Sequence, residues 1–409
     1  MLSDNTADTD KNLEMVTEII YKAANKSLRK KSVHPKKIGK DKNRGKKWFT
    51  QDLYQSRTEL RLLAKELDKN PFNRELRHRV SSTRMAFNKQ VKKAKREHTD
   101  QLLKKLDNMH EKNPNEYWAL IEELKNDDLA KTSTETPFNS NEWNAYFKNL
   151  YGKNDNQLWD NEIKDQLKDL ERNTPNSDFL NAVITEEEVK NSISSLKNKK
   201  ATGLDNISAE MLKSGINHLS PCFTKLFNSI LNSKTYPENW RYSTISAIHK
   251  KGPKNIQDNY RGIALSSIIS KVFGKVINER IIQHLDEKNL RNEFQIGFKK
   301  KARTSDHMFV IKCLTDKYTK NGKLYLCFID FKKAFDTVWR KGILLKLLQN
   351  GISGPVYEVL KNMYENVYLG AKCPSPSFFK SYLGTKQGAV ESPTLFNICL
   401  LYTSPSPRD

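Results

Sequence analysis

The densest chemical signal in the chain is the stretch Phe328-Ile329-Asp330-Phe331-Lys332-Lys333-Ala334-Phe335-Asp336-Thr337-Val338. Asp330 closes the run KLYLCFID, which is short, apolar and rich in strand formers. An apolar strand cannot keep a carboxylate in its interior cheaply, so Asp330 belongs at the strand's end, exposed or neutralised, most simply by a divalent cation. Asp336 begins the next helical turn. Spacing alone leaves a second reading open, because an aspartate at a strand-to-helix junction is more often a helix cap than a metal ligand.

The elements that must position these residues can be read from periodicity. KLYLCFID is expected to lead straight into a helix from Lys332 to Leu348. Upstream, Thr185 and Glu188 have the spacing of a capping box, and Val189, Ile193 and Leu196 then fall on one helical face. A Gly-containing turn follows (KKATGLDNIS), then helices through Met211 and from Phe223 to Leu231, an extended segment Ser243 to His249 and a basic loop Lys250 to Lys254. Helices are also expected from about Ser267 to Leu290 and from about Ser305 to Tyr318. Helices and strands mix without regular βαβ repetition, so the class is α+β rather than doubly wound.

The region before Ile184 has another style. Residues Lys30 to Lys47 carry almost no apolar side chains and read as a disordered basic linker or a nuclear-localisation-like cluster, and 1–47 as a whole is expected to be a disordered basic N-terminal segment. From Trp48 to about Asn126, leucines and other apolar residues recur at helical spacing among charges, with Pro71-Phe72-Asn73 as an interruption, so a helical hairpin or a broken long helix is expected. Further helices are expected through Trp118 and through Trp143, Tyr146, Phe147 and Leu150. The division is a mostly helical basic region at 48–152, a polar linker at 153–183 and a folded unit at 184–401.

Composition bounds the function. The chain has 409 residues and a formal net charge of +23. The charge is segregated: residues 22–97 hold 25 Lys and Arg against 7 Asp and Glu, residues 98–190 hold 11 against 20, and residues 191–409 hold 34 against 16. Two basic blocks thus flank an acidic one, as expected of a chain with a polyanionic partner, since phosphate neutralisation releases counterions. A lysine-rich solvated surface is the alternative for any single block. The longest apolar runs fall far below the roughly 18 residues that cross a bilayer, and the first residues lack the basic-then-apolar layout of a secretory signal. Five cysteines without CxxC spacing point to free thiols in a reducing compartment, with nuclear and cytoplasmic residence expected.

FIDFKKAFDTV resembles the first palm motif of reverse transcriptases, specifically those of non-LTR (LINE-type) retrotransposons. KNKKATGLDNISAEMLK resembles that group's first finger motif and KKGPKNIQDNYRGIALSSIISKVFGKVINERI its second. NEFQIGFKKKARTSDHMFVIK resembles the insertion characteristic of the group, and GTKQGAVESPTLFNI the motif after the first palm strand. The order is the family's, over Ile184 to Ile398. Residues Trp48 to Lys125 also resemble, in composition, the basic helical linker that these elements place before the polymerase.

The resemblance implies a partial right-hand fold, fingers and the first half of a palm. It implies nucleotidyl transfer from a dNTP to a DNA 3′-end on an RNA template, with Mg²⁺ or Mn²⁺ as cofactor. Asp330 would hold two divalent ions, with the backbone oxygen of Phe331 completing the shell. Phe335 would be the steric gate that excludes a 2′-hydroxyl, although from its position alone an ordinary core aromatic is the preferred reading. Arg261, Lys250 and Lys251 would hold the triphosphate, Gln387 would contact the incoming nucleotide, and Lys199, Lys200 and Arg303 would touch template or phosphate. Asp336 reads as structural. Glu391 departs from the family, which has an apolar residue before Ser392-Pro393. No second palm carboxylate motif follows Phe396, and residues 402–409 read as a tail foreign to the fold. Little or no polymerase activity is therefore expected of these 409 residues. A non-catalytic nucleic-acid-binding remnant and a helical scaffold built on residues 50–125 are the rival readings.

Overall fold

The computed structural model describes residues 9–27, 48–69, 73–109, 137–152, 161–292, 294–319, 322–331 and 333–400. The basic run at 30–47, Pro71-Phe72, the helix expected through Trp118 and the tail at 402–409 lie outside the described residues. The chain divides into two compact units, one holding α2 (Gln51–Lys69) and α3 (Arg74–Met109), the other holding α1 (Thr9–Ser27) and the residues from 137 onward.

In the helical unit the apolar content is small and concentrated. Trp48, Phe49 and Leu53 are buried, with Tyr54, Phe87, Val91 and Ala94 packed against them. Leu53, near the start of α2, thus joins Val91 in the middle of α3, as two helices folded back on one another require. Lys95 Nζ lies 5.1 Å above the Trp48 ring and the Arg57 guanidinium 5.7 Å above that of Phe49. Cationic heads over aromatic faces let a strongly basic surface seal a thin core.

The larger unit has a main helical core and a second core under a sheet. The main core gathers α1, α7 (Glu186–Ser194), α8 (Ala209–Ser214), α9 (Ile216–Ser233), α10 (Ile268–Glu287), α13 (Arg340–Gln349), α14 (Pro355–Glu365) and α15 (Ser392–Leu400). Leu212, Phe227, Ile230, Val272, Ile281, Ile343 and Leu347 are completely buried in it, each removal from water contributing about 1.5–3 kcal/mol. The capping box forms as the sequence predicts: Thr185 Oγ1 accepts from Glu188 N–H, and the Glu188 carboxylate accepts from Thr185 N–H at 2.8 Å. That carboxylate also takes two bonds from the buried Arg280 guanidinium, at 2.7 and 2.9 Å. Arg280 reaches on to the carbonyls of Leu180, Ala182 and Val183, so one cation ties α10 to the start of α7.

The sheet runs in the order β2-β1-β3-β4. β1 (Tyr242–His249) pairs antiparallel with β2 (Tyr260–Leu265) and parallel with β3 (Val367–Ala371), and β4 (Phe379–Ser381) is antiparallel to β3. Helix α4 (Ser140–Tyr151) lies against it. Trp143, Phe147 and Tyr151, spaced four residues apart, stack successively at 5.5 and 6.2 Å and bury themselves on Ile245, Val367, Leu369 and Phe379. Gly262 makes room for this packing: a Cβ there would stand 2.8 Å from the Phe147 ring.

Three expectations are corrected. KLYLCFID is not a strand: residues 322–331 pair with no strand among the described residues, and Tyr325, Phe328 and Ile329 are 78–85% exposed. Side-chain propensity favours a pleated surface but supplies no partner edge, and both edges of β1 are taken by β2 and β3. The helix expected over Lys332–Leu348 divides into α12 (Ala334–Thr337) and α13, with Val338 and Trp339 extended between them. The Val338 carbonyl there accepts Gly384 N–H at 2.8 Å, a bond that a continuous helix would forbid. Finally, the polar stretch 153–183 contains α5 (Lys164–Asn173) and α6 (Asp178–Asn181), whose Leu167, Leu170 and Leu180 join the main core. Among its described residues Asp165, Asp169 and Asp178 are exposed, while Asn181 bonds to the Ser353 carbonyl and the Val356 N–H, both at 3.0 Å, so leucines and polar contacts dock it together. The helix α11 (Thr304–Tyr318) forms where periodicity places it, with no buried residue.

Candidate active site

The sequence GTKQG forms a turn threaded between β2 and α12. Gly384 has φ +75°, and a Cβ there would lie 2.7 Å from the Asp336 carbonyl oxygen and 2.8 Å from that of Phe335. Thr385 N–H donates to the Phe335 carbonyl at 2.9 Å, and Ala264 N–H donates to the Gln387 carbonyl at 2.8 Å. Gly388, at φ +113°, would place a Cβ 2.8 Å from the Ala264 carbonyl oxygen. Both positions therefore need glycine, one for a left-handed backbone in direct contact with another chain segment, the other for a conformation closed to L side chains.

At the centre of this junction the Asp336 carboxylate, 9% exposed, accepts the Tyr151 hydroxyl at 2.8 Å and the Gln387 amide at 2.7 Å. Burial holds the Asp336 carboxyl above its ordinary range, and the positive charges of Lys333 and Arg261 partly oppose that. Burial, together with this carboxylate, pushes the Tyr151 hydroxyl far above its usual value. Lys333, with left-handed backbone, donates to Asp258 at 2.9 Å and to the Tyr146 hydroxyl at 3.3 Å.

Asp336 carries a pH dependence. A carboxyl with a raised folded-state pKa binds its proton where the unfolded chain has already released it, so stability declines as pH rises from near 3.8 through the raised value. Asp336→Asn keeps an acceptor for Tyr151 and Gln387 but has no proton to lose. Urea midpoints at pH 4, 5.5 and 7 are expected to move in favour of the Asn variant as pH rises; a constant difference would contradict this account of the site.

Arg340 fixes the other side of the turn. Its guanidinium, 8% exposed, spends all five N–H groups inside the protein: on the carbonyls of Gly384 (2.9 Å), Leu383 (2.9 Å), Ser381 (2.5 Å) and Tyr364 (3.1 Å) and on the Ser381 hydroxyl (2.8 Å). Burial lowers it to about 10, still protonated at neutral pH. Lys386, 4% exposed, donates to the Trp240 carbonyl at 3.2 Å with its ammonium 5.9 Å from the centre of the Tyr236 ring. Burial drives it down to about 8, against the pull of Glu391, while Glu391, 2% exposed, is pushed up by burial against the pull of Lys386. Glu391 thus departs from the family at a buried position, where its charge and that of Lys386 each partly offset the cost of burying the other.

The sequence-predicted residues are only partly gathered. Phe335, Asp336 and Gln387 meet at the junction, and Arg261, exposed on β2, acts electrostatically on Asp336. Phe335 is half-buried, stacked on Phe396 at 4.7 Å and edge-on to Phe298 at 5.8 Å. Lys250 and Lys251 are exposed on the turn joining β1 to β2. Lys199 and Lys200 are exposed on the loop before α8, where Lys199 N–H donates to Glu210 at 2.5 Å, and Arg303 is exposed at the start of α11, its N–H bonded to Asp306 at 2.8 Å. Asp330 and Phe331 lie exposed on the unpaired segment 322–331. A carboxylate beside a backbone carbonyl is a hard-oxygen donor set that suits Mg²⁺, which commonly takes one or two carboxylates and completes its shell with water and phosphate oxygens. Among the described residues no group of three or more His, Cys, Asp or Glu side chains is gathered. Arg340 and Lys386 escaped the sequence reading. Their one signal is charge inside otherwise apolar surroundings, at the head of RKGILLKLL and in KQGAVE.

Residues 248–406 match the family model described as reverse transcriptase (RNA-dependent DNA polymerase). The chain is 30% identical over 252 residues to the probable RNA-directed DNA polymerase from transposon X-element of Drosophila melanogaster, covering 60% of this chain and 27% of that protein. It is 29% identical over 222 residues to the corresponding protein of transposon BS from the same fly, covering 52% and 24%. Over 226 residues it is 28% identical to the RNA-directed DNA polymerase from mobile element jockey, covering 53% and 24%. The chain thus spans about a quarter of the length of these relatives.

Proposed function

We propose that residues 248–406, which match the reverse transcriptase family model, are a reverse-transcriptase segment of the kind carried by non-LTR (LINE-type) retrotransposons, and that the protein copies RNA into DNA, adding dNTPs to a DNA 3′-end. The observation that carries the reading is the junction itself. Three separate motifs, YRGIAL, FKKAFDTV and GTKQG, are joined by the bonds Ala264 to Gln387, Thr385 to Phe335 and Gln387 to Asp336. A nucleotide pocket built from distant segments needs such fixed mutual positions, because misplacement of an ångström costs orders of magnitude in rate.

In this proposal Asp330 and the carbonyl of Phe331 hold the metal, which when bound neutralises triphosphate charge and activates the primer hydroxyl. Arg261, Lys250 and Lys251 receive the triphosphate on the face formed by β1 and β2. Arg261 suits this role because its guanidinium can grip phosphate oxygens bidentately. Phe335 lies beneath the incoming sugar, its face held by Phe396, and Gln387 holds the floor of the pocket through Asp336. Lys199, Lys200 and Arg303 guide the template backbone. Two metal ions require more than one carboxylate. Among the described residues no group of three or more His, Cys, Asp or Glu side chains is gathered, and these 409 residues by themselves are proposed to bind template and primer but to extend poorly.

Primer extension on an RNA template with Mg²⁺ or Mn²⁺ tests that last point. The 409-residue chain is expected to give no product above background while retaining the duplex in a gel shift. Robust Mg²⁺-dependent extension would overturn the proposed inactivity and leave the family reading standing.

A further inference from the structure

A groove of about 440 Å³ opens between α5, the start of α13, α14 and the residue following β4, away from the GTKQG turn's contacts with β2 and α12. Lys164 and Lys168 stand one turn apart on α5, both exposed, and Lys341 lines the opposite wall. Two carboxylates also line it: Glu365, and Glu171, which is engaged by Lys361 Nζ at 2.8 Å and the Tyr357 hydroxyl at 2.8 Å. The wall also presents aromatic surface. Tyr382 is 41% exposed, with Lys380 Nζ 5.7 Å from its ring centre, and its backbone N–H is pinned to the Tyr151 carbonyl at 2.8 Å. Trp339 is braced by Gly342, where a Cβ would stand 2.7 Å from the indole.

Fixed aromatic rings beside lysines on a helical rail are the recipe for sequence-tolerant binding of single strands: bases stack on the rings, each for about 1–3 kcal/mol, while cations follow the phosphates. A duplex offers the same phosphates but keeps its bases inside. We propose that this groove is a second nucleic-acid site, which seats one or two nucleotides of a single strand against Trp339 and Tyr382 with the flanking phosphates on Lys164, Lys168 and Lys341. It goes beyond the polymerase reading, since none of these residues belongs to the proposed nucleotide pocket.

Crosslinking tests it. The full chain is irradiated with a 4-thiouridine-substituted 20-mer RNA, or the 4-thiothymidine DNA equivalent, and the labelled residues are mapped by mass spectrometry. Labelling at Trp339 or Tyr382 is expected. It should fall at least tenfold in Lys164→Glu/Lys168→Glu, and labelling at Trp339 should fall tenfold in Tyr382→Ala, while labelling elsewhere persists; all three positions are exposed, and circular dichroism verifies folding. Comparison of the two strands assigns RNA, DNA or both. Absence of label at both aromatics, labelling unchanged in the variants, or competition by a fully paired duplex as strong as by an unlabelled single strand would overturn the proposal. Label missing from 248–265 and 384–388 would count instead against the polymerase reading, so the two failures are distinguishable.

Discussion

Replacing Arg340 by methionine is expected to cost at least about 4 kcal/mol, a large part of the roughly 5–15 kcal/mol that keeps a domain folded. Methionine approximates the side chain's length but donates nothing. Four backbone carbonyls and one hydroxyl would lose a charged donor in a largely buried site, and each buried acceptor left unsatisfied costs about 1–3 kcal/mol. These costs do not add fully, because the 381–384 segment can relax. Arg340→Lys keeps the charge but offers three donors from a single point rather than a planar fork, so about half of the loss should remain. Urea unfolding followed by circular dichroism checks both variants. A cost below about 1 kcal/mol for methionine would mean that the guanidinium is not what holds the turn.

The second large effect concerns Lys386 and Glu391. Removing either partner strands the other charge in the interior, which costs about 3–5 kcal/mol, whereas replacing both by apolar residues of similar volume is often neutral or stabilising. Lys386→Met and Glu391→Leu should therefore each destabilise strongly, and the double variant should return close to the parent. The same urea measurements around the double-mutant cycle read the coupling directly. Simple additivity would refute the assignment of Glu391 as the counter-charge of Lys386. The double variant also restores an apolar residue before Ser392-Pro393, the pattern of the family that the sequence resembles, so recovery would explain why polar residues at both positions go together here.

Local signals were the most legible in the sequence. Thr185 and Glu188 announce their cap because both partners lie within one turn, and the helix through Ser267 to Leu290 follows from periodicity alone. KLYLCFID misled because a strand exists by pairing, and propensity names no partner. The break at Val338 and Trp339 was invisible because it depends on Gly384, 46 positions further along. Site residues divide the same way. Gln387 stands within a motif, but its bond to Asp336 is a contact across the fold. Arg340 and Lys386 carry no local pattern, and what makes them matter is burial beside carbonyls and a carboxylate that the chain supplies from far away.

The most direct test of the polymerase reading is the lifetime of the chain's complex with an RNA template and a dideoxy-terminated DNA primer, measured with matched and mismatched dNTP in Mg²⁺. Templated selection needs no second carboxylate to be seen, because no bond has to form. The account predicts that matched dNTP lengthens the lifetime at least tenfold, about 1.4 kcal/mol, that mismatched dNTP does not, and that Asp330→Ala abolishes the difference while leaving duplex binding intact. A lifetime indifferent to base matching, or a matched effect that survives in Asp330→Ala, would contradict it and leave a nucleic-acid-binding protein without a nucleotide site at Asp330.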